Sequence, residues 1–364
     1  MSHSASSHQI TPLRWLRDLR FKRRYLAYGY YAALKNYLNF MSPWRQTLDY
    51  WAVGLQSLKR AKPCRIEMIN RVWETIGRNH DYIDGAFFLD VHWYKSSLFV
   101  GPIVLEGQSA FLKAFRDTAE VSAQAQQTRF ARTHFGDYFI MSDLLFSGEN
   151  YLALDLIEHD QTPPGFTDLY EAGLDMARDL YTQHRYKSRP LDAILPLDLP
   201  LLFEKEGAVD LWRSVFNTIG GGVGRHLTPV IDIRPAHGDF TPWNTFRTPR
   251  GEIALIDYER CGWYVPFYDM FHLICQPAAM AGEAVFPDQF LDEISMDETD
   301  ISPHKAHRWF MLYLLDQLHF DLSGYHTDGR PHKRLRRTID LKKRLLRVTL
   351  KRMEAAGDQR KNAA

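Results

Sequence analysis

The chain is organised around two linked stretches, Ala236-His237-Gly238-Asp239-Phe240-Thr241-Pro242-Trp243-Asn244 and Ala254-Leu255-Ile256-Asp257-Tyr258-Glu259. Asp239 and Asn244 are five residues apart, and Asp257 follows Asn244 by 13 residues. Phosphoryl transfer needs a carboxylate that accepts or orients a hydroxyl proton, and oxygen ligands that hold Mg²⁺. These three side chains supply such groups. The pattern therefore predicts that Asp239 is catalytic and that Asn244 and Asp257 bind Mg²⁺, although Asp and Asn also form ordinary turns.

The bulk composition is that of a globular protein with room for two lobes. The chain has 364 residues, of which 45% are hydrophobic and 24% are charged, and this size supports two domains. No window approaches 18 uninterrupted apolar residues, so no transmembrane helix is predicted. The N-terminus lacks the pattern of a secretory signal, and the three cysteines have no CxxC spacing. We therefore predict a cytoplasmic protein without a disulfide framework or zinc site.

Charge is distributed unevenly along the chain. The net charge is only +1, yet residues 1–62 carry 11 Lys/Arg against 2 Asp/Glu, and residues 329–364 carry 13 against 3. The middle of the chain is therefore acidic. A nucleic-acid-binding protein would need basic residues on its folded body, so we predict no nucleic acid partner.

The secondary-structure pattern predicts an α+β protein. Thr11-Pro12 begins a basic helical region that continues to about residue 80. One helix, at 117–132, and five strands are predicted beyond it, the strands at 86–92, 98–105, 110–115, 138–144 and 151–157. After Pro163-Pro164 the pattern becomes mostly helical. A small sheet joined to a larger helical block predicts two lobes with a cleft between them.

His-Gly-Asp-x₄-Asn, followed by Ile-Asp-x-Glu and by Asp269, 12 residues after Asp257, is a specific combination. It resembles the motifs of the aminoglycoside phosphotransferase and choline kinase superfamily, which are small-molecule kinases with a protein-kinase-like fold. The resemblance is dense over 236–272, weaker over 85–235, and does not cover 1–80. It implies ATP or GTP as the nucleotide and the same roles for the three matching side chains. It also implies that His237 supports the catalytic loop and that Asp269 ties this loop down.

The resemblance and the pattern together predict three parts of the chain. Residues 1–80 form a basic helical N-terminal extension, residues 81–160 a five-stranded antiparallel nucleotide-binding N-lobe, and residues 161–364 a helical C-lobe with the catalytic loop and a basic C-terminal helix. Glu158 and His159 lie at the predicted connection between the lobes. Backbone groups are expected to bind adenine there, so these two residues are named for their position.

A kinase of this type also needs a lysine on its third strand and an acid on the next helix. Lys113 fits because it is charged within an otherwise apolar strand, although an edge-strand lysine that faces water would give the same pattern. Glu120 is predicted to pair with Lys113, since it lies seven residues further on and the glutamines after it add no other acid.

The turn that should cover the phosphates departs from the glycine-rich pattern of protein kinases. No GxGxxG lies between the first two predicted strands, and Tyr94-Lys95-Ser96-Ser97 occupies that place. Ser96 and Ser97 are therefore predicted to contact the nucleotide through hydroxyl or backbone N–H groups. The glycine-rich segment 220–224 follows a predicted helix instead of a strand, and we predict that it binds no ligand.

The basic ends leave two interpretations open. They contact an anionic membrane surface, where each basic residue contributes ~1 kcal/mol, or they pack on the acidic middle of the chain. We favour packing for both ends. The first interpretation would add peripheral contact with the inner membrane to the predicted cytoplasmic location.

The predicted reaction is Mg²⁺-dependent transfer of the γ-phosphoryl group of ATP or GTP to a hydroxyl of a small molecule. Sugars, aminosugars, amino alcohols and cell-envelope precursors are the candidate acceptors. An alternative is a non-catalytic, kinase-like binding or scaffold protein at the inner membrane surface, but the catalytic set is complete. A protein kinase is a third interpretation, against which the HGD loop and the IDxE in place of DFG argue.

Overall fold

The structure is a computed structural model that describes residues 75, 83–85, 88–89, 97–105, 108–158, 164–183, 186–221, 229–296, 301–327 and 333–363. Within 83–105 and 356–363 it describes the backbone alone. Apart from Thr75, the predicted extension 1–80 lies outside the described residues. The packing of its basic helix on the protein therefore stays a prediction.

The described residues contain twelve strands and eight α-helices. The strands are β1 (Ile83–Gly85), β2 (Phe88–Leu89), β3 (Ser97–Leu105), β4 (Gln108–Phe115), β5 (Ile140–Met141), β6 (Leu144–Ser147), β7 (Tyr151–Asp155), β8 (Lys187–Pro190), β9 (Val230–Ala236), β10 (Thr245–Arg247), β11 (Ile253–Leu255) and β12 (Gly262–Tyr264). The helices are α1 (Thr118–Phe135), α2 (Phe166–Thr182), α3 (Leu199–Lys205), α4 (Val209–Phe216), α5 (Tyr268–Ala281), α6 (Asp288–Met296), α7 (Pro303–Thr327) and α8 (Lys333–Ala363).

The chain forms two compact units and crosses between them inside the motif region. The first unit contains the described residues up to Pro164 together with Trp243–Glu259, and the second contains those of Gly165–Pro242 and Arg260–Ala364. Asp239 therefore belongs to the second unit and Asn244 to the first. The predicted domain limits, 81–160 and 161–364, stay predictions.

The larger sheet of the first unit is antiparallel. Its strands follow the order β1–β3–β4–β7–β6, with β2 also paired to β3. β4 is an inner strand, because the backbone of Lys113 is paired with Val100 of β3 on one side and with Leu152 of β7 on the other. Phe115 at the end of β4 is buried with Val121 of α1 and with residues of β7. This packing fixes α1 against the sheet.

The mixed helix and strand content is confirmed, but the prediction of a five-stranded sheet is not, since the described sheet has six strands. The predicted strand 86–92 is replaced by β1 and β2, two short pieces that both pair with β3. The predicted strand 138–144 was wrong as one element, because β5 pairs with β11 and β6 pairs with β7. Between them, the Ser142 N–H donates to the Tyr258 hydroxyl at 2.9 Å, which diverts the chain from one sheet to the other.

A second, three-stranded sheet of the first unit has the order β10–β11–β5. β10 and β11 are antiparallel, while β11 and β5 are parallel. The turn between β10 and β11 is closed by a bond from the Gly251 N–H to the Thr248 carbonyl at 2.9 Å. This hairpin carries Asn244 before its first strand and Asp257 after its second.

The second unit is mostly helical and contains the antiparallel sheet β12–β9–β8. Its core is centred on α7, where Phe310, Tyr313 and Leu314 are fully buried. Gly173 of α2 lies where a Cβ atom would come within 2.7 Å of the Phe240 ring. The missing side chain therefore lets α2 approach the residue that follows Asp239.

The basic C-terminal helix α8 packs on acidic residues of its own unit. Lys342 Nζ lies 2.9 Å from Asp321 Oδ2, and both side chains are buried. Glu206, 3% exposed at its side chain, contacts Lys343 and also lies 2.7 Å from Arg336. For this helix, the contacts agree with packing on the body. No helix among the described residues is both long and apolar enough to span a bilayer.

Candidate active site

The turn at Gly238 gives the predicted catalytic loop its shape. β9 ends at Ala236, and Gly238 adopts φ +82°, in the left-handed region that favours glycine. A Cβ atom at this position would lie 2.4 Å from the backbone oxygen of Arg260. The glycine of the His-Gly-Asp motif is therefore required by both the backbone conformation and the lack of space.

Asp269 holds this turn from α5. Its carboxylate accepts a hydrogen bond from the His237 N–H at 2.7 Å and another from the Gly238 N–H at 2.9 Å. Burial raises the pKa of Asp269 to about 7, although the two N–H donors and Arg260 act to lower it. The arrangement agrees with the loop-holding role that the resemblance implies.

Asp239 lies at the end of the turn with its side chain 27% exposed. Its Oδ1 is 2.8 Å from Nε2 of His272, which is buried on α5. Its backbone N–H donates to Nδ1 of His237 at 3.3 Å. The carboxylate is thus oriented by the protein and still reaches solvent, as a group that takes a proton from a substrate must.

A polar network of the second unit extends from this region into the core. Arg260 lies 3.3 Å from Asp316, and the Tyr268 hydroxyl also bonds to that carboxylate. Gln317 Nε2 donates to the Tyr268 hydroxyl at 2.7 Å, and Lys342 donates to Gln317 Oε1 at 3.1 Å. Burial lowers the pKa of Arg260, but its anionic neighbours outweigh burial and hold the pKa above its usual value.

In the first unit, Lys113 is paired with two carboxylates. Its Nζ lies 3.0 Å from Asp257 Oδ1 and 3.1 Å from Glu259 Oε1, and the lysine side chain is 10% exposed. Burial lowers the pKa of Lys113, but the two carboxylates outweigh it and hold the pKa above its ordinary value. The lysine is therefore an inner-strand cation held in its charged form, and it does not face water.

The described contacts of Lys113 do not include the predicted partner, Glu120. Glu120 lies in the first turn of α1, where its N–H donates to the capping carboxylate of Asp117 at 3.0 Å. The described contacts of Lys113 are instead with Asp257 and Glu259. Glu120 lies at the very start of the helix, where its backbone takes part in the N-cap, and its role at the nucleotide stays a prediction.

Gln127 of α1 contacts the same acidic segment. Its Nε2 donates to the backbone oxygen of Glu259 at 2.6 Å. Helix α1 therefore contributes a side-chain amide that holds the backbone at Glu259. The carboxylate that pairs with Lys113 comes from Glu259 itself.

Asn244 and Asp257 flank the β10–β11 hairpin. Thr245 pairs with Leu255, and one residue outside that pair the Ile256 N–H donates to the Asn244 carbonyl at 3.0 Å. Asp257 follows with φ +66°, a left-handed conformation that Asp tolerates better than most residues. Such backbone strain is common at functional sites. The register therefore brings the two predicted metal ligands to one end of one hairpin.

The donor set fits a magnesium–nucleotide complex. Asn244 offers an amide oxygen and Asp257, 32% exposed at its side chain, offers a carboxylate, and Mg²⁺ binds through one or two carboxylates together with substrate phosphates. The Lys113 ammonium lies beside Asp257, as the phosphate-binding lysine of a kinase would. Among the described residues, no group of three or more His, Cys, Asp and Glu side chains forms a metal site.

The remaining predicted nucleotide contacts are only partly within the described residues. Ser97 begins β3, where the backbone alone is described, and Ser96 lies outside the described residues. Glu158 is exposed after β7, and His159 lies outside the described residues. Their roles stay predictions.

Sequence reasoning missed His272 and left Glu259 without a role. His272 lies three residues after Asp269, and a spacing of three places two residues on the same helix face. That spacing could have indicated that both act on the catalytic loop. Glu259 is part of the quoted motif, but nothing in the sequence indicates that it pairs with a lysine 146 residues away.

The fold resembles that of solved aminoglycoside phosphotransferases, and the agreement with known proteins is one of fold alone. No protein-family model and no curated protein sequence matches the chain. Solved structures do match. The resemblance inferred from the motifs is thereby confirmed as a likeness of fold.

Two of these structures are thermostable mutants of the aminoglycoside phosphotransferase APH(4)-Ia. One mutant, in a ternary complex with AMP-PNP and hygromycin B, matches with a TM-score of 0.52 at 11% identity, over 77% of this chain and 97% of its own. Another, in a ternary complex with ADP and hygromycin B, matches with a TM-score of 0.51 at 11% identity, over 76% and 97%. Choline kinase LicA from Streptococcus pneumoniae reaches a TM-score of 0.48 at 14% identity, over 78% of this chain and 99% of its own.

Proposed function

We propose that the protein is a small-molecule kinase that transfers the γ-phosphoryl group of ATP or GTP to an acceptor hydroxyl. The observation that carries the proposal is the cluster of Lys113, Asp257 and Glu259 in the first unit. Lys113 is 144 residues from Asp257 and 146 residues from Glu259 in the sequence, yet its Nζ lies within 3.1 Å of a carboxylate oxygen of each. The lysine ammonium thus lies beside the carboxylate that the motif independently predicts as a metal ligand, which supports a phosphate-binding role for Lys113. The fold shared with aminoglycoside phosphotransferases supports the same class.

The acceptor reaction is an in-line displacement. The acceptor oxygen forms a bond to the γ-phosphorus while the bond from that phosphorus to the β,γ-bridging oxygen breaks, which yields a phosphomonoester and a nucleoside diphosphate. Asp239 accepts the hydroxyl proton and later releases it to solvent. His272 and the loop backbone keep the carboxylate oriented during the transfer.

The first unit holds the phosphates. Lys113 binds the nucleotide phosphates, and Asn244 and Asp257 hold Mg²⁺. When bound, the metal ion neutralises charge on the phosphate oxygens. Glu259 keeps Lys113 in place, since it shares the ammonium group with Asp257. The comparisons do not favour the alternative of a non-catalytic scaffold.

The test is a product screen with the full chain. The protein is incubated with ATP or GTP, with Mg²⁺ or with EDTA, and with aminoglycosides, choline-like amines, and free or lipid-linked sugars. We expect a new phosphomonoester in ³¹P NMR for at least one acceptor, with Mg²⁺ and not with EDTA. Nucleotide binding without any phosphorylated product across the panel would contradict the proposal and favour the scaffold.

A further inference from the structure

His272 has a geometry that the phosphotransferase motif does not account for. It lies on α5 with its side chain 1% exposed. Its Nε2 is 2.8 Å from Asp239 Oδ1, and its Nδ1 is 3.3 Å from the Tyr313 hydroxyl on α7. The three side chains form a chain from the fully buried Tyr313 to a carboxylate that reaches solvent.

The partners of the ring determine which nitrogen carries the proton. An ionised carboxylate only accepts hydrogen bonds, and a neutral imidazole has one donor and one acceptor nitrogen. His272 Nε2 therefore donates to Asp239, and Nδ1 accepts from the Tyr313 hydroxyl.

The surroundings also keep the ring neutral. Burial lowers the pKa of His272, the hydrogen bond and charge of Asp239 raise it, and Arg260 and Lys342 lower it again. The net pKa lies below its ordinary value, so the uncharged ring dominates near neutral pH.

Aromatic neighbours fix the direction of the donor. The Tyr268 ring lies within 11° of parallel to His272 at 6.3 Å between centroids, and the Tyr313 ring meets it edge-on at 6.0 Å. Core packing of the second unit therefore sets the direction of the Nε2–H bond.

We propose that His272 is a positioning residue for Asp239, held by Tyr313 in the tautomer that donates from Nε2. A neutral donor orients Asp239 Oδ1 without placing a positive charge beside it. A cation in the same place would stabilise the ionised carboxylate and weaken it as a base. The inference rests on the proposed function because it takes Asp239 as the group that receives the hydroxyl proton.

The kinetic test separates orientation from general structure. His272→Ala removes the donor, and we expect kcat to fall about 10- to 100-fold, since hydrogen bonds to charged groups are the strong ones, with the nucleotide KM unchanged. His272→Gln keeps an N–H donor and should recover most of the loss. Tyr313→Phe leaves the ring without its hydroxyl partner and should give a smaller loss.

A matched control is available in the same unit. His319 Nε2 lies 2.8 Å from Asp198, whose side chain is 57% exposed, so His319→Gln alters a histidine–aspartate pair of equal length elsewhere. It should leave kcat unchanged. An unchanged kcat in His272→Ala would overturn the proposal, as would a loss that His272→Gln does not recover in a protein with the wild-type melting temperature.

A second measurement does not need an acceptor. Long-range ¹H–¹⁵N NMR of ¹⁵N-histidine-labelled protein, assigned with the His272→Gln variant, should show His272 neutral with its proton on Nε2 at about pH 7. A proton on Nδ1, or a charged ring, would overturn the proposal. If the wild type phosphorylates no acceptor, the proposed function fails, while this spectrum still decides the tautomer.

Discussion

Lys113 in the first unit and Asp239 in the second are both held by side-chain hydrogen bonds, but their partners differ in charge. Lys113 is bound by the carboxylates of Asp257 and Glu259, whereas Asp239 is bound by the buried ring of His272, whose pKa is lowered. A lysine that is to bind phosphate must stay charged, and two carboxylates keep it so. An aspartate that is to take a proton must remain basic, and a neutral donor orients it at a smaller cost in basicity.

This comparison predicts different responses to the same kind of substitution. Changes in the first-unit cluster alter charge, and should appear in the metal dependence of the reaction and in nucleotide affinity. Changes at Asp239 and His272 in the second unit alter orientation and proton transfer, and should appear in kcat and in the pH dependence of the reaction.

Of the residues that pair with Lys113 or hold the Asp239 loop, Asp257 is expected to give the largest effect. Asp257→Asn removes the anionic metal ligand that also pairs with Lys113, and we expect turnover to fall about 10²- to 10³-fold, because a metal ion contributes several kcal/mol of charge stabilisation. Initial rates against Mg²⁺ concentration measure it. A variant with wild-type turnover and wild-type Mg²⁺ dependence would remove Asp257 from the site.

A smaller effect on nucleotide affinity is expected at Glu259. Glu259→Gln removes one of the two carboxylate charges that pair with Lys113. We expect the KM for the nucleotide to rise about tenfold, the effect of about 1.4 kcal/mol. Glu120→Gln is the matched control, since Glu120 lies on the adjacent helix with no described contact to Lys113. If Glu120→Gln raised KM and Glu259→Gln did not, the predicted Lys113–Glu120 pair would be restored.

The smallest effect is expected in the pH dependence of stability at Asp269. Burial raises the pKa of this carboxyl from 3.8 to about 7. The folded state therefore binds the proton more tightly than the unfolded state, and the resulting stability is present at acid pH and lost as the pH rises through about 7. Asp269→Asn removes this loss.

Thermal unfolding from about pH 5 to pH 8 measures this effect. Relative to the wild type, the melting temperature of Asp269→Asn should rise by a few degrees over that range. Parallel melting curves of the two proteins at every pH would show that Asp269 has an ordinary pKa.

The candidate groups that sequence spacing could indicate lie on one short segment. Asp239, Asn244 and Asp257 fall within 19 residues, and the hairpin register then follows from local pairing. Lys113 was predicted because a charge inside an apolar strand is unusual. Whether it faced water could not be decided from the sequence, since that depends on the strands on either side of β4.

Contacts between distant segments could not be predicted. The bond between His272 and Asp239 depends on how α5 packs behind the loop, and the Tyr313 contact depends on α7, 41 residues further along the chain. The division of the predicted strand 138–144 depends on Tyr258, 116 residues from Ser142. In each case, tertiary packing selected a partner that local pattern does not encode.

The most direct test of the account is transfer of label from [γ-³²P]ATP to the acceptor panel by the wild type and by Asp239→Asn, with nucleotide binding measured on both by calorimetry. We predict labelled acceptor with the wild type, a decrease of about 10²- to 10⁴-fold with Asp239→Asn, as for loss of a general base, and equal nucleotide affinity. Equal transfer by the two proteins, or wild-type protein that binds nucleotide and labels no acceptor, would contradict the account.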